Sequence, residues 1–65
     1  MRIPTQQEIL KDFITWTERG SDSAVQFERA VRRWISCGYS TAELPLVFDA
    51  SPAQVHAAIQ AAIST

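Results

Sequence analysis

The chain has one cysteine, one histidine and two glycines, and no lysine or arginine after residue 33. Each scarcity closes off a class of function. Cys37 has no partner for an internal disulfide, and one cysteine with one histidine cannot supply the ligands of a zinc site. Small secreted domains are usually dense in disulfides, so the expected location is the cytoplasm. Gly20 and Gly38 stand too far apart to form a phosphate-cradling loop. No apolar run approaches the ~20 residues that span a bilayer. The opening Met1-Arg2-Ile3-Pro4-Thr5-Gln6-Gln7 has no apolar signal-peptide core, so no membrane association is expected. Nothing in the composition calls for a cofactor.

What remains is a chain of 65 residues, 46% of them hydrophobic, which is enough for one domain over 1–65. A domain this short buries only about 60% of the surface its unfolded chain exposes, so its stability alone is expected to be marginal. Association with a partner, or a homodimer, is a common remedy. The net charge is −1. Up to residue 38 the chain sets Arg2, Lys11, Arg19, Arg29, Arg32 and Arg33 against five acids. From residue 39 onward it has only Glu43 and Asp49.

Hydrophobic periodicity predicts an all-α fold, a small four-helix domain. The first helix begins at Thr5, with Glu8 completing a capping box. Its stripe is Ile9, Leu10, Phe13 and Ile14, with Trp16 or Thr17 beyond, and Gly20 closes it. Ser21 or Ser23 caps the second helix, whose stripe is Ala24, Phe27, Val31, Trp34 and Ile35 and whose stop is Gly38. A short third helix is capped by Ser40 with Glu43 and offers Leu44, Val47 and Phe48 to the core. Pro45 conflicts with its second turn, so this helix is either irregular or starts later. The fourth starts at Ser51-Pro52 and buries Val55, Ala58, Ile59, Ala62 and Ile63.

The stretch Glu28-Arg29-Ala30-Val31-Arg32-Arg33-Trp34-Ile35-Ser36-Cys37-Gly38-Tyr39-Ser40-Thr41-Ala42-Glu43-Leu44 resembles the opening of a LuxR-type DNA-binding domain. The continuation, Phe48-Asp49-Ala50-Ser51-Pro52-Ala53-Gln54-Val55, is similar to that domain's turn and third helix, and to the C-terminal promoter-reading domain of sigma factors. The likeness covers about residues 24–63 and implies a helix-turn-helix-like C-terminal half. Two departures bear on the local backbone: Pro45 replaces a small residue, and Asp49 replaces the usual turn glycine, though Asp tolerates turn conformations.

A third departure bears on function. The family's recognition helix carries cations and Thr toward the major groove; here the corresponding exposed positions are Pro52, Ala53, Gln54, His56, Ala57, Gln60 and Ala61. Phosphate contacts supply most non-specific DNA affinity, and this helix offers none. Gln54 is suited to adenine, with His56 beside it, but Arg29, Arg32 and Arg33 on the preceding helix would have to hold the backbone. DNA binding is therefore the second reading.

The first is a protein partner, such as a transcription regulator, gripped by a small neutral helix face. Interface cores are depleted in charge. On this reading the protein is an antiactivator or a mobile-element inhibitor, with the fourth-helix face as its contact surface. Trp16, at the edge of the first stripe, is either core closure or a partner contact. His56 lacks an arranged nucleophile and carboxylate, Cys37 reads as a partly buried inert thiol, and Glu8 with Asp12 reads as ordinary surface, so no catalytic activity is expected.

Overall fold

Four helices and no strand make up the described residues, 2–64, of a computed structural model: α1 (Gln6–Glu18), α2 (Ser23–Ser36), α3 (Leu44–Val47) and α4 (Pro52–Ile63). A 3₁₀ turn, Thr41–Glu43, leads into α3. The fold class is all-α, as the periodicity predicts.

The helix ends follow the local chemistry of the sequence. Thr5 Oγ1 accepts from the Glu8 N–H and the Glu8 carboxylate accepts from the Thr5 N–H, so α1 opens on a complete capping box. Gly20 and Gly38 both lie at positive φ, where the Ser21 N–H reaches back to Trp16 and the Tyr39 N–H to Trp34. These six-to-one bonds satisfy carbonyls that a helix end leaves free. Asp49, at φ 53°, does the same for α3: the Ala50 N–H donates to the Pro45 carbonyl. An aspartate in the left-handed region therefore does the work of a third glycine.

Two caps differ from expectation. The cap of α2 is Asp22, whose carboxylate accepts from the Ala24 and Val25 N–H groups. Ser21, one residue earlier, belongs to the closure of α1, where its N–H donates to the Trp16 carbonyl. At Ser40 the hydroxyl accepts from the Ala42 N–H, but Glu43 does not return to complete a box. Its carboxylate accepts from Gln6 Nε2 at 2.7 Å, joining the 3₁₀ turn to the start of α1. Pro45 is accommodated because the 3₁₀ turn ends at Glu43 and an α-helix begins afresh at Leu44. The proline thus falls in a first turn, where its missing N–H costs nothing.

α2 is the central element, packed against α1 on one side and α4 on the other. The core is Ile9, Ala30, Val31, Trp34, Leu44, Val55 and Ala58. Trp34 is wholly buried, and its Nε1–H donates to the Ser40 carbonyl at 2.8 Å, so the indole carries no unsatisfied polar atom inward. The Tyr39 ring packs edge-on against Trp34, and its hydroxyl donates to the Pro4 carbonyl at 2.7 Å. That bond ties the segment before α1 to the end of α2, and with buried Ile9 it makes α1 part of the core.

Three positions of the expected stripes are not covered. Ala24, Ile14 and Ile63 are exposed, the last two to 44% and 63%. α1 and α4 each cover only part of the surface of α2, so residues at the margins of the stripes reach solvent.

Candidate functional site

The outward face of α4 is uncharged. Pro52, Ala53, Gln54, His56, Ala57 and Gln60 are exposed; Ala61, expected beside them, is half-buried because it turns toward the covered side of the helix. Ser51 Oγ accepts from the Gln54 N–H, and Gln54 Oε1 accepts from the Ser51 N–H at 2.9 Å, a second complete capping box. Gln54 is thus exposed, as expected, but also serves as part of the helix cap. The amide oxygen is spent locally, and a two-bond grip on adenine needs both ends of the amide. His56 stands free of any ion pair among the described residues.

The three arginines of α2 are not equally available. Arg33 donates to the Asp12 carboxylate at 2.8 Å, bridging α2 to α1. Arg32 stands 3.6 Å from Glu28, one turn earlier. Arg29 alone of the three has no acid within ion-pair distance among the described residues. Trp16 is 48% exposed, and the Arg19 guanidinium lies over its ring, 5.3 Å from the centroid. Beneath Trp16, between α1 and α2, is a crevice of only about 50 Å³.

Sequence reasoning missed a groove of about 370 Å³, open to solvent on one side. It lies where α1, the start of α2, the α3–α4 turn and the first half of α4 meet. Its deeper surface is Phe13, Phe27, Phe48 and Ala58. Phe48 contacts both other phenylalanines edge-on at 5.5 Å between centroids. Ala24 and Ala57 form the sides. The polar groups at the mouth are Ser23, Glu28, Asp49 and Gln54, and no Lys, Arg or His lines it. The only signal for it in the sequence is Ala24, a small side chain at a position where the α2 stripe calls for bulk. Two expected contact residues, Gln54 and Ala57, lie on this groove; Trp16 lies on the α1–α2 crevice instead.

Among the described residues no three His, Cys, Asp or Glu side chains cluster closely enough to hold a metal ion. No helix is long and apolar enough to cross a membrane. Cys37 is half-buried against the core. The site offers an aromatic-floored hollow beside a helix face of small side chains. Compared with protein-family models, curated proteins and solved structures, the chain has no significant match.

Proposed function

We propose that this chain is a small, non-catalytic regulatory protein that acts in the cytoplasm by binding another protein. Its C-terminal half serves as a helix-turn-helix-like scaffold turned from nucleic acid to protein. The partner is a transcription regulator, which the chain inhibits as an antiactivator does. The observation that carries this reading is the pairing of an uncharged α4 face with an apolar groove along its first half. Interface cores favour apolar and aromatic surface and exclude charge.

The competing reading, a sequence-specific DNA-binding regulator, needs cations to hold phosphate. α4 has none, and Arg33 and Arg32 are each set against an acid. The test is capture of partners from the native cytoplasm, with and without nuclease, by the wild type, by Ala57→Arg and by a double variant, Arg32→Ala with Arg33→Ala. Nuclease-resistant capture of one protein, lost in Ala57→Arg and kept in the double variant, is expected. Sequence-preferential retardation of duplex DNA by the purified chain at moderate salt would overturn the reading.

A further inference from the structure

The groove differs from an enclosed ligand pocket in two ways. Its volume of about 370 Å³ is near the low end of the range of about 300–1,000 Å³ over which pockets take small molecules, but one side is open. Small-molecule sites also orient their ligand with a few buried polar groups, and the polar side chains lining this groove, Ser23, Glu28, Asp49 and Gln54, are all exposed or half-exposed. An occupant must therefore bring its own orientation, as a side chain carried on a folded segment does.

Charge at the mouth narrows the occupant further. Glu28 and Asp49 flank an otherwise apolar hollow with no cation in its lining. The nearest compensation is Arg32, whose 3.6 Å approach to Glu28 is too long for a hydrogen bond. Asp49 has no cation within ion-pair distance among the described residues. A second copy docking this face on itself would bring four carboxylates into one interface with no cation from either groove lining, since a two-fold interface meets its own patch. That arrangement is disfavoured by like charge. A helix with Lys or Arg beside a bulky apolar residue answers both features, and the alanines of α4 let it approach closely.

We infer that the groove takes one or two large apolar side chains from a basic amphipathic helix, whose flanking Lys or Arg residues face Glu28 and Asp49. This rests on the protein-binding reading above and names the chemistry of its partner. The apolar floor supplies the affinity, and the two carboxylates select a cationic segment over an acidic one.

The test titrates the isotopically labelled full chain with three designed helical peptides of about 16 residues, long enough to hold helix in part. One combines Leu with Lys, one Leu with Glu, and one Ala with Lys. Saturable amide shifts at Ala24, Phe27 and Ala57 are expected with the Leu–Lys peptide, weakening as salt is raised. The Leu–Glu peptide should bind at least about tenfold more weakly, and the Ala–Lys peptide should leave the groove unshifted. Replacing both carboxylates, Glu28→Gln with Asp49→Asn, should lower Leu–Lys affinity by about threefold to tenfold, as expected for two exposed charge pairs. The folded spectrum should be retained, because asparagine also tolerates the left-handed region.

Equal binding of the Leu–Glu peptide overturns the inference, as do Leu–Lys shifts that map outside the groove. Groove shifts that grow with protein concentration alone would assign the site to a second copy and overturn it too. If capture sensitive to Ala57→Arg persists while the Leu–Lys peptide fails to bind, only this inference falls. If capture itself depends on nucleic acid, the underlying reading falls.

Discussion

Phe48 has two differently packed sides, and the contrast between them organises the molecule. On one side it meets Trp34, which is wholly buried, hydrogen-bonded to Ser40 and covered by Tyr39. On the other it meets Phe13 and Phe27, which are only half-buried and open onto the groove. The same aromatic chemistry thus serves stability at one end and leaves binding surface at the other. What differs is the cover: Tyr39 closes the first end by gripping Pro4, whereas alanines at 24 and 57 leave the second open. In a domain this small, residues spent on a groove are residues withheld from the core.

The largest effect should follow from breaking the closed end. Trp34→Ala removes a fully buried indole and its hydrogen bond, a change that typically costs about 3–5 kcal/mol. That approaches or exceeds the stability expected of a chain of this length. Loss of the cooperative urea transition, followed by circular dichroism, is the expected outcome. A Trp34→Ala protein that still unfolded cooperatively at a similar midpoint would show that the closed end is not where stability resides.

Overpacking separates the two ends more finely. Ala30 is buried at the α1–α2 contact beside a crevice of only about 50 Å³, so the added atoms of Ala30→Leu overfill it and should cost about 1–3 kcal/mol. Ala57→Leu adds the same atoms beside an open groove and should change stability by no more than about 0.5 kcal/mol. It should nonetheless weaken partner capture by filling the hollow. Similar shifts in urea midpoint for the two variants would mean that the two ends are equally closely packed.

These ends were unequally legible in the sequence. Helix starts and stops depend on a few neighbouring residues, so Thr5–Glu8, Gly20, Gly38 and Ser51–Pro52 announce themselves. Asp22 was hidden among three neighbouring residues that all cap well, and local chemistry alone does not choose between them. The break at Pro45 was legible as a conflict but not as its resolution, because a 3₁₀ turn leaves no periodic signal in three residues. The Trp34 environment followed from its stripe position. The groove did not, because it is formed jointly by four segments distant in sequence. Periodicity assigns a face to Ala24 but cannot say that no other helix comes to cover it.

A smaller effect tests the junction that carries Tyr39 over Trp34. Gly38 has φ 82°, and a Cβ there would meet no atom within 4 Å. The cost of Gly38→Ala is therefore backbone strain alone, about 1–2 kcal/mol for an L-residue in this region. Part of it is offset by the alanine's lower unfolded-state entropy. A net loss of about 1 kcal/mol in urea unfolding is expected, with groove binding unchanged. A variant that kept its stability but lost binding would mean that the closed end's geometry reaches the groove.

The smallest effect is a pH dependence at the start of α1, beside the Pro4 carbonyl that Tyr39 holds. The Thr5 N–H and then the Arg2 guanidinium hold the Glu8 carboxyl below the ordinary glutamate range. A depressed folded-state value means that the charged form is favoured by folding. Its contribution is complete above the unfolded value, near 4.3, and is lost as the pH falls through the folded one. Stability should therefore decline on acidification below about pH 4.3, and Glu8→Gln should flatten that decline while lowering stability slightly at neutral pH. Glutamine can still accept from the Thr5 N–H, so the capping bond survives and only the charged part is removed. Urea midpoints measured between pH 3 and 7 for the two proteins supply the check. Parallel curves would mean that the cap steadies the closed end through its geometry, with its charge contributing nothing.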